Sequence, residues 1–277
     1  MTAATVSIAG TSSDDFTRSQ HAVWASLPES LTQAPAQARL NVIDGRTAGW
    51  LDTLKGAIRP GTAGILVVHP SAEPSAPDIR SAAADAGISI AVQTTWAAHP
   101  AVAPFARAAA GRLADIALID SVVQLAEPSA RPWPDVLVEH LSLVRAAVGP
   151  LERARFAACH QHGYTVHGPV GTSTVVMSAV QSAAQPRTAR LAAYGTTSEA
   201  HLIVPADRTA APAAAWFVDS AGAVTQPTWY EDTSRASWRR LHAAVAGRPG
   251  EGLTDLADLA DDIGLVTAIA GDWRTCH

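Results

Sequence analysis

The chain has a single lysine, Lys55, among its 20 basic residues. Nearly every cation is therefore an arginine, which stays charged and cannot serve as a proton donor. Any mechanism that needs a lysine acid must use Lys55 or fail. Cysteine is equally scarce: Cys159 and Cys276 lack the CxxC spacing of a zinc or redox site, which argues against a disulfide framework and leaves two reduced thiols as the expectation. No basic block offsets the formal charge of -5, so neither nucleic acid nor a membrane is expected as a partner. No apolar run approaches the roughly 18 residues of a spanning helix, and the opening Met1-Thr2-Ala3-Ala4 has no basic leader region. A cytoplasmic protein is expected, with a small-molecule substrate. Alanine and arginine enrichment points to a GC-rich, actinobacterial type of genome.

What is present is a chain of 277 residues, 48% hydrophobic, enough for one large or two modest domains. Short apolar stretches at Val6 to Ala9, Leu40 to Ile43, Ile65 to Val68 and Ile88 to Val92 alternate with helical stretches such as Thr47 to Ile58 and Ile79 to Ala86. This pattern predicts a parallel sheet with crossover helices, each strand covered on both faces. A strand at Ala114 to Ile119 leads to a helix with Leu137, Leu141, Val144 and Val148 on one side, ended by Gly149-Pro150. Longer alternating strands follow at Thr172 to Ser182, Arg187 to Tyr194 and Ala200 to Val204, the texture of an antiparallel sheet with one covered face. Helices over Arg235 to Ala246 and Leu256 to Ala270, the latter capped by Thr254, close the chain. The expected architecture is α/β: a shortened Rossmann-like parallel-sheet domain over 1–115, then an α/β domain over 116–277 with an open, mainly antiparallel sheet. The C-terminal helix is expected to pack back on the first domain.

The first turn lacks what such a scaffold normally carries. After Val6 to Ala9 comes Gly10-Thr11-Ser12-Ser13-Asp14-Asp15, with one glycine where a dinucleotide site wants three and two carboxylates near the would-be pyrophosphate. Asp44 ends the next strand and stands where an acid could grip a ribose, although it lies much farther than ~20 residues beyond Gly10.

From Gly64 to Ala270 the order of elements resembles the Gfo/Idh/MocA family, which pairs an N-terminal Rossmann domain with a C-terminal open-sheet domain. Gly64-Ile65-Leu66-Val67-Val68-His69-Pro70 is similar to the strand that ends in the family's Glu-Lys-Pro motif, with a helix, a strand and Pro100 following. Leu137 to Gly149 resembles the helix carrying the family's active-site histidine, here His140. Tyr194 to Ala200 resembles the sheet-domain Gly-Thr turn, and Trp238 to Gly247 the helix before the last. The family oxidises or reduces sugars and cyclitols with NAD(P). Here Val68 and His69 replace the Glu and Lys of the motif, and the preceding segment is short by about one strand-helix unit. A second register places Gln93-Thr94-Thr95 at the motif; neither restores a lysine.

The candidate catalytic residues are therefore His69, at the carboxyl end of an apolar strand, and His140, with Asp135 or Glu139 to orient its imidazole. Each histidine also has a plain structural role open to it, as a capping or core-edge residue. Trp96 and Trp133 are candidates to stack on a substrate ring, whereas Trp216, Trp229 and Trp238 read as sheet-domain packing. Gly10 and Asp44 are the candidate cofactor contacts, with no cofactor expected and NAD(P) the alternative. His160 and His162 would share a strand face with Tyr164 and could chelate a metal, although a solvated face is the commoner arrangement and no metal is expected. Three functions stand open. The first is a non-redox acid/base enzyme of bacterial sugar or specialised-metabolite biosynthesis, catalysing isomerisation, elimination or cyclisation. The second is a non-catalytic subunit completing a homologous partner; the third is an NAD(P) oxidoreductase with a rebuilt site. A homo- or hetero-oligomer through the C-terminal sheet is the expected assembly.

Overall fold

A computed structural model describes residues 3–34, 38–111, 115–126, 131–184, 186–206, 211–248, 255–269 and 271. In chain order the elements are β1 (Ala4–Ile8), α1 (Asp14–Ala25), β2 (Leu31–Gln33), β3 (Leu40–Asp44), α2 (Trp50–Ala57), β4 (Gly64–Val68), α3 (Ala76–Asp85) and β5 (Ser89–Gln93). Then come α4 (Val102–Ala110), β6 (Ile116–Ala126), α5 (Trp133–Val148), β7 (Arg155–His160), β8 (Gly163–Val170) and β9 (Ser173–Ser182). The chain continues through β10 (Thr188–Gly195), β11 (Ser198–Pro205), β12 (Ala214–Asp219), β13 (Gly222–Thr225), α6 (Thr233–Val245) and α7 (Leu256–Ala268). Two compact units form, Met1–Thr94 with Asp232–Ile263, and Thr95–Glu231 with Gly264–His277. The division falls at Thr94 because α4 packs with the second sheet, where Phe105 stacks on Phe217 at 5.6 Å. The helix cap expected at Thr254 lies outside the described residues.

The first unit is a parallel sheet in the order β2-β1-β3-β4-β5. On one face Val6, Val42, Leu66, Val68 and Ala91 pack against Phe16, Val23 and Trp24 of α1 and against Trp238 and Leu241 of α6. Trp238 therefore belongs to the first unit's core, not to the second sheet as expected. Ser13 caps α1 by accepting from the Phe16 N–H at 3.2 Å, and Asp14 and Asp15 sit in the first turn, where the helix dipole favours them. Strand β4, apolar throughout and buried at every residue, is the doubly covered one. β1 differs: Val6 and Ile8 join the core cluster, while Thr5 and Ser7 alternate with them. Only residues 34–39 link β2 to β3, too few for the dozen or more of a crossover helix, so the expected covering of both faces fails at β1.

The second unit is an eight-stranded sheet, β13-β12-β11-β10-β6-β9-β8-β7. Every neighbouring pair is antiparallel except β6 with β9. Strand β6 runs to Ala126, well past the expected end at Ile119, with Ile119, Ser121, Val123 and Leu125 buried and the residues between them more open. Helix α5 is buried continuously from Val136 to Val144, so it is a core helix with no fully polar side. Cys159 is disulfide-bonded, contrary to the expected reduced thiol. Among the described residues no helix is long and apolar enough to cross a membrane.

Candidate functional site

Open parallel sheets bind ligands beyond the carboxyl ends of their strands, at the point where the strand order reverses. Here that point lies between β1 and β3. At the end of β1, Gly10 adopts φ 76°, and a Cβ on it would stand 2.4 Å from Thr53 Cγ2. The glycine thus lets the turn pass α2. At the end of β3, Asp44 is 2% exposed and its two oxygens each accept from Arg46, at 2.8 Å from Nε and 2.8 Å from Nη2. This bidentate pair is among the stronger polar contacts available to a protein. It engages both oxygens that a ribose would need, and the Arg46 guanidinium lies 5.6 Å from the Phe16 ring.

His69, one residue beyond β4, has φ 52°, the only positive φ of a non-glycine residue among the described residues. A left-handed backbone disfavours a β-carbon and persists only where its surroundings hold it. They do so here. The His69 N–H donates to the Gln93 carbonyl at 2.8 Å, Gly45 N–H to the Val68 carbonyl at 2.8 Å, and Ser71 N–H to the Gly45 carbonyl at 2.8 Å. Trp50 Nε1 donates to the Ser71 carbonyl at 3.3 Å. Gly45 allows this knitting, since a Cβ on it would stand 2.5 Å from Pro70 Cα. The half-buried imidazole is thus mounted on a fixed turn at the carboxyl end of the fully covered strand. The order strand, helix, strand around His69 and on toward Pro100 is as the sequence predicts.

In the second unit, adjacent residues of α5 face different surroundings. Glu139 is fully buried and accepts from Arg131 Nη1 at 2.7 Å, from Arg187 Nη2 at 3.1 Å and from Thr95 Oγ1 at 2.6 Å. Arg187 also donates to Thr95 Oγ1 at 3.1 Å, and its guanidinium lies over Trp96 at 5.1 Å. His140, also fully buried, has Ser121 Oγ 2.8 Å from Nε2 and Tyr164 OH 3.1 Å from Nδ1. Ser121 Oγ also lies 3.4 Å from the Arg190 carbonyl, so both ring nitrogens of His140 and the serine hydroxyl are held in one buried network. Burial pushes His140 down to about 3. Burial first, and the Glu139 charge after it, push the Tyr164 phenol well above its ordinary range. The imidazole's partners are thus Ser121 and Tyr164, whereas Glu139 turns to the arginines.

The remaining candidates are placed as follows. Trp96 is completely buried with Arg187 against its ring, and half-buried Trp133 donates from Nε1 to the Gln161 carbonyl at 3.3 Å, its ring edge-on to Tyr164. Asp135 lies in the first turn of α5. His160 and His162 do not share a strand face: Gln161 and His162 form the turn between β7 and β8, and His160 Nδ1 accepts from the His162 N–H at 3.2 Å. Among the described residues no three His, Cys, Asp or Glu side chains group as metal ligands. Sequence reasoning missed Arg131 and Arg187, and reached Thr95 only through the second register of the motif. A glutamate flanked by Val138 and His140 inside an apolar helix is itself a signal, because a buried carboxylate needs cationic partners, and in this chain those are arginines.

No protein-family model and no curated protein matches the chain. Solved structures do. It is similar to a protein described as an NADPH-dependent oxidoreductase from Desulfitobacterium hafniense, with TM-score 0.77, 10% identity, and coverage of 99% of this chain and 97% of the other. An oxidoreductase from Sinorhizobium meliloti matches with TM-score 0.76 at 9% identity, covering 99% of this chain and 98% of its own. A variant of a 3-ketoreductase from Actinomadura kijaniata, solved with TDP-benzene and NADP, matches with TM-score 0.68 at 13% identity over 97% of each chain. Likenesses at this identity establish the fold alone: an α/β unit on a parallel sheet joined to an α/β unit on a mainly antiparallel sheet, shared with these proteins.

Proposed function

We propose that the chain is a small-molecule enzyme that uses this fold for acid/base chemistry centred on His69, without hydride transfer. The observation that carries the reading is the left-handed backbone of His69 at the carboxyl end of β4. A strained non-glycine residue held by a hydrogen-bonded turn fits a preorganised reactive group, for which glycine would serve the backbone better. An imidazole can take a proton from one carbon of a bound substrate and return it to a neighbouring atom, which is the requirement of an isomerisation or elimination. The residues at the carboxyl ends of β1 and β3 argue against a dinucleotide: both Asp44 oxygens are paired with Arg46, and Asp14 and Asp15 follow the turn. His140, enclosed with both ring nitrogens bonded, is assigned a structural role.

Proton exchange into sugars and cyclitols in deuterated water, followed by NMR, tests the reading. His69→Asn, which tolerates the same backbone, should slow exchange by about 100-fold or more. Exchange at the wild-type rate in that variant would sink the assignment. A saturable melting shift with NAD(H) or NADP(H), worth roughly 2.7 kcal/mol at about 100 times the dissociation constant, would put a hydride enzyme in its place. A second reading, a non-catalytic subunit, draws on Leu118 and Tyr194, cross-strand partners that are both exposed on the second unit's sheet. It predicts an inactive isolated chain and co-purification with a homologue carrying an intact Gly-rich turn.

A further inference from the structure

Within the first unit, the open side of β1, flanked by β3 and α2, borders a cavity of about 900 Å³, and we propose that it binds a small hydroxylated anion of the sugar-phosphate class. Its lining includes Ser7, Asn41, Thr53, Thr62, Arg59 and the backbone of Ile8 to Gly10. The volume lies within the range of small-molecule sites.

The residue types run against what the fold alone would select. Asn41 sits mid-strand between buried Leu40 and Val42, although asparagine is depleted in strands and parallel strands favour Val, Ile and Leu. Its partner across the ladder is Ser7. Ser7 Oγ donates to Asn41 Oδ1 at 2.8 Å, which fixes the amide so that Nδ2 faces Thr62 Oγ1 at 3.5 Å; that hydroxyl donates to the Ala57 carbonyl at 3.1 Å. The result is a strip of oriented amide and hydroxyl groups, a match for the vicinal hydroxyls of a sugar, each of which both gives and accepts a hydrogen bond.

Charge sets the rest of the ligand. Arg59 is the charged residue of the lining, with no carboxylate beside it there. Its Nε is anchored on the Gly56 carbonyl at 2.7 Å, leaving the terminal nitrogens of its fork to a phosphate or carboxylate. Gly56 and Gly61 face open space where a Cβ would stand, so a ligand can approach the backbone. A helix from another protein is the poorer occupant, because its apolar ridge would bury Ser7 and Asn41 against hydrocarbon.

Melting of the full chain with ribose 5-phosphate and glucose 6-phosphate, beside ribose, glucose and inorganic phosphate at the same concentrations, tests this. The expected result is a saturable rise with a sugar phosphate that exceeds that of free phosphate. Affinity should fall by about tenfold in Arg59→Gln, an exposed change compatible with folding, and again in Asn41→Val. No shift with either sugar phosphate, an equal shift with inorganic phosphate, or unchanged affinity in Arg59→Gln would each overturn the proposal. Binding should survive His69→Asn, so failure here leaves the acid/base reading untouched, and the reverse.

Discussion

Acidification should destabilise the second unit through one side chain. His140 is neutral in the folded protein, its ordinary value near 6.5 pushed down to about 3 by burial. In the unfolded chain it regains its ordinary basicity and binds a proton as the pH drops below 6.5. The unfolded state then carries the extra proton, and stability declines with falling pH. The contribution is fully present above about pH 6.5 and lost progressively toward pH 3. Between pH 7 and pH 5 the linkage amounts to about 2 kcal/mol, or roughly 4–8 °C in Tm for a chain of this size. The comparison needs a variant that keeps the hydrogen bonds but does not titrate. His140→Gln serves, since its amide can donate toward Ser121 and accept from Tyr164. Whatever its stability at pH 7, its loss between pH 7 and pH 5 should be smaller than that of the wild type by the same 2 kcal/mol, measured by urea unfolding at each pH. Parallel pH profiles in the two proteins would show that His140 is protonated or solvated in the native state, and the buried arrangement would be refuted.

Glu139→Leu leaves two guanidinium groups without their shared carboxylate and should destabilise by about 3 kcal/mol; denaturant unfolding that shows under 1 kcal/mol would mean the arginines reach water freely. Gly45→Ala forces a β-carbon onto the Pro70 backbone and should cost about 1–3 kcal/mol, with reduced protection of the His69 amide in hydrogen exchange. His69→Gly should raise stability by up to about 1 kcal/mol by relieving the left-handed strain while losing proton exchange, and calorimetry showing a lower Tm would argue that the backbone is unstrained.

The elements were legible where pattern and length agreed. Four of the five parallel strands, the long antiparallel run and helices α5 and α6 follow from apolar clusters, alternation and the Gly149-Pro150 stop. The remaining strand of the parallel sheet, β2, is three residues long and carries no periodic signal. The second half of β6 was hidden because Asp120 and Gln124 on its more open side break an apolar run. At the site, His69 was legible as the residue that ends an apolar strand, whereas its backbone conformation depends on Gly45 and Pro70 coming from two different turns. On α5 the difference between facing arginines and facing a phenol is one residue, about 100° of helix rotation. Periodicity cannot resolve that step when both neighbours are buried. Arg187 and Thr95 approach Glu139 from distant parts of the chain, beyond any local pattern.

The first unit's core is completed from far downstream: Trp238 and Leu241 of α6 pack with Trp24, Leu66 and Val68, and Gly64 leaves room for Leu241 and Val245. All of residues 95–231 are synthesised between β5 and that helix. At the usual pace of translation this interval lasts roughly 7–28 s, during which Leu66, Val68 and Ala91 of the nascent parallel sheet have α1 beside them but lack the cover of Trp238 and Leu241. The order of synthesis thus makes the emerging first unit a client for chaperones until its own late segment arrives.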